Sequence, residues 1–160
     1  MQEHNAERLM PEPPERVRQP ADADQQEEIH RRALLAAAIA ADLKAEDIRV
    51  LDMRSLVSYT DFLVVCTGRS TRQTRRISEE IGLRLKRELR LLPLGVQGDR
   101  ASEWILMDYL DFIVHIFTPE TRDFYRLDVM WKEAPAETVG AAGVVAVERT
   151  SSAAVEEESD

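Results

Sequence analysis

The residues best suited to chemistry are gathered in one stretch, WILMDYLDFIVHIF, from Trp104 to Phe117. His115 and Asp108 have the composition of an acid–base pair, which works only within hydrogen-bond reach. If Leu110 and Asp111 form a two-residue turn between two strands, Asp108 faces Ile113 and His115 is its diagonal neighbour, about 7–8 Å away. Contact is then feasible, but no serine or cysteine nucleophile stands beside the pair. Asp108 and Asp111 are three apart across the turn. Metal-assisted nucleotidyl transfer needs carboxylates converging on one strand face, as in Asp-x-Asp. The positions two away from Asp108 are Leu106 and Leu110, so that ligand pair is absent and Asp111 is expected to shape the turn.

Other chemical groups are isolated. His4, His30 and His115 fall in different elements, and no zinc spacing exists. The single cysteine, Cys66, sits in an apolar run and is expected to be a buried, inert thiol. Gly68 precedes a helix N-terminus, which can hold an anion, but one glycine is a weak phosphate cradle. No metal or cofactor is therefore expected. Arg72, Arg75, Arg76, Lys86, Arg87 and Arg90 share the outer face of a helix. That face reads either as solvated or as a contact for RNA or an acidic protein.

The elements that position these groups follow from hydrophobic period. Gln26–Leu43 reads as a helix on Ile29, Ala33, Ala36, Ala37, Ala40 and Leu43, and Ile48–Met53 as a strand. The run FLVVC, Phe62–Cys66, suits a strand covered on both faces. Ser70 with Gln73 has capping-box spacing and opens a helix running to about Leu92, where Pro93 stops it. Its expected buried stripe is Ile77, Ile81, Leu85, Leu89 and Leu92. LPLGVQGD is a loop or short strand. Trp104–Tyr109 and Phe112–Phe117 form a hairpin. Thr118 and Pro119 then cap and open a last helix with Phe124, Leu127 and Trp131 on its apolar side. The order α-β-β-α-β-β-α predicts a small mixed-sheet α/β domain with flanking helices.

Composition sets the boundaries. Of the net charge of −9, residues 1–30 carry eight acids against three bases and residues 133–160 seven against one, leaving 17 bases and 15 acids between. The acidity belongs to the ends, so it neither supports nor excludes an RNA-rich partner. Residues 1–24, with four prolines, are expected to be a disordered acidic extension, 25–134 the folded domain, and 135–160 a disordered acidic tail. No apolar run approaches the ~20 residues that span a bilayer. The start lacks an apolar stretch after a basic head, so no secretory signal and a cytoplasmic location are expected.

In the hairpin, alternation puts Ile105, Met107, Tyr109, Phe112, Val114 and Ile116 on one face, expected to be core. The other face carries Trp104, Leu106, Asp108, Ile113, His115 and Phe117. Either helices cover it, or its Trp104 end is open and docks a partner. Three helices are few for both faces of a four- or five-stranded sheet, which favours partial exposure.

Four blocks resemble the ribosomal silencing factor family, also called Iojap-related proteins: TDFLVVCTGRSTRQ (Thr60–Gln73), LPLGVQGD (Leu92–Asp99), SEWILMDYLDFIVHIF (Ser102–Phe117) and TRDFYRLDVMW (Thr121–Trp131). The resemblance covers about Glu27 to Lys132. It implies a nucleotidyltransferase-like α/β fold without the catalytic acids, and a non-enzymatic translation repressor. Such a repressor binds the large ribosomal subunit at ribosomal protein fourteen and sterically blocks small-subunit joining under nutrient limitation. It also implies that Trp104 lies in the ribosome-binding surface and that Asp108–Asp111 is the family's Asp-Tyr-x-Asp turn. The expected partner-binding set is Trp104, Leu106, Asp108, Tyr109, Leu110, His115 and Phe117, with a peripheral rRNA contact and self-association of the unbound face as further expectations. Many members carry Gly where this chain has Leu110, a position at which a positive φ disfavours a bulky residue. A nucleotidyltransferase-like enzyme using Asp108 and His115, or an rRNA-binding module using the helix 69–90, are the alternatives.

Overall fold

The run FLVVC lies at the centre of the molecule. In the computed structural model, which describes residues 16–148, it forms strand β2 (Phe62–Thr67), buried at every position. An unbroken apolar run needs cover on both faces, and both are covered. The sheet has seven strands in the order β3-β4-β5-β2-β1-β6-β7. The others are β1 (Glu46–Asp52), β3 (Gly95–Gln97), β4 (Trp104–Asp108), β5 (Phe112–Phe117), β6 (Ala136–Gly140) and β7 (Gly143–Glu148). Strands β2 and β5 pair in parallel; every other neighbouring pair is antiparallel. The mixed sheet with flanking helices is the fold class read from the sequence.

Two long helices cover one face. Helix α1 (Ala23–Asp42) begins at Asp22, whose carboxylate accepts from the Gln25 N–H at 2.8 Å while the Gln25 side chain accepts from the Asp22 N–H at 2.9 Å. Its buried stripe of Ala33, Ala36, Ala37 and Ala40 lets the backbone approach the sheet closely. Helix α2 (Thr71–Leu89) starts at Ser70, as its capping spacing predicts, and buries Ile77, Ile81 and Leu85. It stops before Leu92 because Arg90 turns left-handed at φ 54°, with the Leu91 N–H closing on the Leu85 carbonyl. Leu92, expected in the buried stripe, is consequently exposed.

The opposite face carries a smaller core of Leu51, Met53, Leu63, Val65, Leu106, Ile113 and Phe117. Its roof is the segment 118–134 with the loop after β1. The expected single last helix is two short ones, α3 (Pro119–Phe124) and α4 (Leu127–Met130), broken where Arg126 takes φ 53°. The roof is stapled down by buried Arg122. Its guanidinium donates to Thr67 Oγ1 at 2.7 Å and to the Asp47 carbonyl at 3.1 Å, and pairs with Asp128 at 2.9 Å.

Both expected tails differ where the structure describes them. Residues 136–148, assigned to a disordered acidic tail, form the hairpin β6–β7, which adds to the backbone of β1 through Arg49–Thr138, Val50–Glu137 and Leu51–Ala136. A strand edge with unpaired N–H and C=O groups is a template for such pairing even where side-chain propensity is low. At the other end, Arg16 and Arg18 are bound to the body of the domain and α1 begins at Ala23, so the expected disorder of 1–24 does not hold from Arg16 onward. Residues 1–15 and 149–160 lie outside the described residues. No helix among the described residues is long and apolar enough to cross a membrane.

Candidate docking site on the β4–β5 hairpin

The hairpin has the register derived from alternation: Trp104 pairs with Phe117, Leu106 with His115 and Asp108 with Ile113. Ile105, Met107, Tyr109, Phe112, Val114 and Ile116 all enter the main core beneath α1 and α2. Tyr109 thus points to the side away from Trp104, 5% exposed, and burial pushes its phenol up to about 12. Of the expected binding set, it is the residue whose side chain lies in the main core, on the sheet face opposite the indole.

The Trp104 face is neither fully sealed nor fully open. Leu106 is 1% exposed, His115 3% and Phe117 0%, all beneath the roof. Only Trp104 at the strand end is half-buried. Of the expected contact residues on this face, Leu106, His115 and Phe117 therefore lie underneath the surface. They act as its support. The indole N–H donates to His115 Nδ1 at 3.0 Å. Its ring packs against Phe117 at 5.3 Å and Tyr125 at 5.6 Å. His115 stacks on Phe117 at 5.8 Å and meets Trp131 at 5.2 Å. Burial pushes the imidazole down to about 3, so it is neutral in ordinary conditions and its Nδ1 lone pair is committed to the indole. A histidine so placed orients a tryptophan; it does not shuttle protons at neutral pH. Cys66 is buried and burial pushes its thiol up to about 12, as its apolar strand implied.

The loop before β4 fixes where the indole emerges. Gly98 has φ +78°, and a Cβ there would stand 1.9 Å from the Trp104 carbonyl oxygen. The Ser102 N–H closes on the Gly98 carbonyl at 2.9 Å, and Arg75 Nε donates to Ser102 Oγ at 3.1 Å. Helix α2 thereby holds the loop that starts the strand.

Sequence periodicity placed Phe124 on a buried helix side. The break at Arg126 turns it outward, to 77% exposure, edge-on to Tyr125 at 4.9 Å. Val129 and Met130 of α4 are exposed as well. Trp104, Tyr125 and Phe124 thus form one continuous aromatic surface running off the strand end onto the roof. A TRDFYRLDVMW block without the helix break gives no sign of this.

At the far end of the hairpin, Leu110 takes φ +73°, and the Asp111 N–H bonds the Tyr109 carbonyl at 2.9 Å. This is a γ-turn of the strained, positive-φ kind, centred on a half-buried leucine. Asp108 is 9% exposed and does not form an open rim. It braces the turn through the Leu110 N–H at 2.9 Å and takes both arms of the Arg16 guanidinium, at 2.8 and 3.1 Å. Arg18 pairs with Asp61 at 3.0 Å and Asp111 at 2.8 Å. These contacts span more than 90 residues to the turn, and no local pattern announces them. Among the described residues, no group of three or more His, Cys, Asp or Glu could hold a metal ion.

Comparison with known proteins is consistent with the blocks that carry the hairpin. The family model described as "Ribosomal silencing factor during starvation" matches residues 26–160. Ribosomal silencing factor RsfS of Chromobacterium violaceum is 34% identical over 116 residues, covering 72% of this chain and 94% of that protein. Ribosomal silencing factor RsfS of Bacillus subtilis is 32% identical, covering 63% and 85%. The chloroplastic protein Iojap of Zea mays is 34% identical over 71% of this chain and 49% of its own length. Among solved structures, a Chromobacterium violaceum protein superposes with a TM-score of 0.58 at 33% identity, over 66% of this chain and 84% of that one. A Bacillus halodurans protein superposes at 0.55 with 28% identity, over 66% and 94%. With the family model matching residues 26–160 and a relative 34% identical over 94% of its own length, the chain belongs to the ribosomal silencing factor family.

Proposed function

We propose that this protein silences translation by docking on the large ribosomal subunit, at ribosomal protein fourteen, where its bulk excludes the small subunit. The observation that carries this reading is the surface Trp104–Tyr125–Phe124, an aromatic ridge whose leading indole is held in one orientation by a neutral histidine. Tryptophan and tyrosine dominate the energetic centres of protein interfaces, and pre-oriented rings lose little entropy on binding. Val129 and Met130, on the short helix α4 of the same roof, are also exposed apolar side chains. Steric exclusion needs no covalent step, and the committed lone pair of His115 removes the proton acceptor that an acid–base mechanism with Asp108 would use.

Co-sedimentation with separated subunits tests the reading. Wild type should pellet with large subunits and not with small ones. Trp104→Glu, with its near-ultraviolet circular dichroism otherwise intact, should stay in the supernatant. A folded Trp104→Glu protein that still pellets with large subunits overturns the assignment.

A second contact has support from one observation. Arg72, Arg75, Arg76, Lys86 and Arg87 on α2 and Arg90 at its C-cap are all exposed. A peripheral rRNA contact through that face would make large-subunit binding fall with salt by roughly one counterion per phosphate neutralised. Substituting the ridge would then leave a weak, salt-sensitive residue of binding.

A further inference from the structure

Arg16 and Arg18 belong to a segment with no regular secondary structure, yet both guanidinium groups are bound to the body of the domain. Arg16 donates to both carboxylate oxygens of Asp108, to the Leu110 carbonyl at 3.0 Å, and to the Tyr59 carbonyl at 2.8 and 3.1 Å. Arg18 reaches Asp61, Asp111 and the Ser58 carbonyl. Three carboxylates and three carbonyl oxygens, brought together by the turn and the loop before β2, thus form a receptor for two guanidinium groups. The residue between the arginines, Val17, points wholly to solvent. The arm is held by its charged tips, with no apolar anchor at that position.

We propose that this arm is an intramolecular ligand of the acidic turn, one that an arginine-bearing segment of a docking partner displaces. Three features favour exchange over a fixed structural tie. An arm bound by ion pairs can leave without exposing core. Arg18 Nε is buried without a hydrogen-bond partner among the described residues, so the receptor fits its second guest incompletely. And Asp108 lies on the same face of β4 as Trp104, about 13 Å along the strand at ~3.3 Å per residue, well inside the span of an interface burying ~800 Å² per partner. While the arm is seated, its two guanidinium groups offset two of the three carboxylate charges; when it leaves, all three carboxylates are uncompensated at the end of the hairpin that the docking partner approaches. The inference deepens the docking reading and rests on it for the identity of the displacing partner, but the occupancy of the receptor can be tested without ribosomes.

The test uses the full chain with Arg16→Ala and Arg18→Ala, and a fluorescent peptide of residues 10–22 added in trans. The tethered arm competes at an effective concentration in the millimolar range. The peptide should therefore bind the double variant at least tenfold more tightly than wild type, and Asp108→Asn with Asp111→Asn should abolish that binding. A folded double variant that binds the peptide no better than wild type overturns the proposal. Removing Arg16 leaves Asp108 unpaired, so Arg16→Lys with Arg18→Lys provides a milder release. It keeps the charges, loses the fork geometry, and should give intermediate peptide affinity; affinity equal to wild type counts against the receptor. In sedimentation, releasing the arm should raise affinity for large subunits about threefold or more. An arm that merely props the turn predicts the opposite, a loss, and that result overturns displacement. Failure of wild type to pellet with large subunits, with the peptide results intact, refutes the docking reading and the partner's part in the displacement while leaving the intramolecular receptor standing.

Discussion

Trp104 and His115 are diagonal neighbours across the β4–β5 ladder: Trp104 pairs with Phe117 and Leu106 with His115, so the indole N–H crosses one step to reach Nδ1 at 3.0 Å. Because an indole nitrogen is only ever a donor, Nδ1 must accept, and the imidazole proton sits on Nε2. Protonating the ring would set two N–H donors face to face in a site that already disfavours charge.

This fixes a pH dependence. Burial pushes His115 down to about 3, against an ordinary value near 6.5 in the unfolded chain. Between these values the unfolded chain binds the extra proton, so stability is fully present above about pH 6.5 and is lost as pH falls toward 3, with a limiting slope of ~1.4 kcal/mol per pH unit. Urea unfolding at pH 6.5 and 5.0 should show a loss of about 1–2 kcal/mol attributable to this group. His115→Phe should remove that part of the slope while lowering stability at pH 7 by roughly 1–2 kcal/mol through the unpartnered indole N–H. An unchanged slope in the variant would mean that His115 is not what titrates.

The loop that delivers Trp104 depends on one glycine. A Cβ on Gly98 would stand 1.9 Å from a backbone oxygen that cannot rotate away, and φ +78° is itself costly for alanine. Gly98→Ala should destabilise by about 2 kcal/mol or more, read from the urea midpoint, and should weaken docking through displacement of the indole. A variant within 0.5 kcal/mol of wild type would show that the loop relaxes freely.

Leu110 carries strain of the opposite remedy. At φ +73° in a γ-turn it occupies a conformation costing roughly 1–2 kcal/mol for an L side chain, offset in a Leu110→Gly variant by some 0.4–1 kcal/mol of unfolded-state entropy. Leu110→Gly should raise stability by about 0.5 kcal/mol. A loss beyond 1 kcal/mol would mean that the half-buried leucine side chain contributes more through packing than its backbone costs.

What could be read from the chain beforehand follows the range of the interaction. The β2 run, the Ser70 and Thr118 caps and the register of the hairpin are local patterns, and each is found where its spacing places it. The strand pair 136–148 is legible only in part: the valines of Gly143–Val147 are an apolar patch able to pair, but the Ala, Gly and Glu around them favour no strand, and the edge that β1 offers decides the outcome. The Trp104 face had two readings, covered or open, and both hold in part. The roof seals Leu106, His115 and Phe117, while the left-handed Arg126 breaks the last helix and leaves Trp104 half-covered with Phe124 outside. The Arg16–Asp108 pair joins positions 92 apart through charge alone, for which no periodicity exists.

That break gives the sharpest separation of docking from folding. Phe124 is 77% exposed and its ring touches Tyr125 only at an edge, so Phe124→Glu should change stability by no more than about 0.5 kcal/mol. If the ridge docks, placing a carboxylate at its end should weaken large-subunit binding by ~2 kcal/mol, about thirtyfold. Leu92→Glu serves as the matched control. Leu92 is also a largely exposed apolar residue, at 62%, but it follows α2, which packs against the main core on the side of the sheet opposite the roof. Its substitution should leave binding within twofold of wild type. Equal losses in both variants would point to charge repulsion spread over the whole molecule, and loss in Leu92→Glu alone would move the docking surface to the β3 edge.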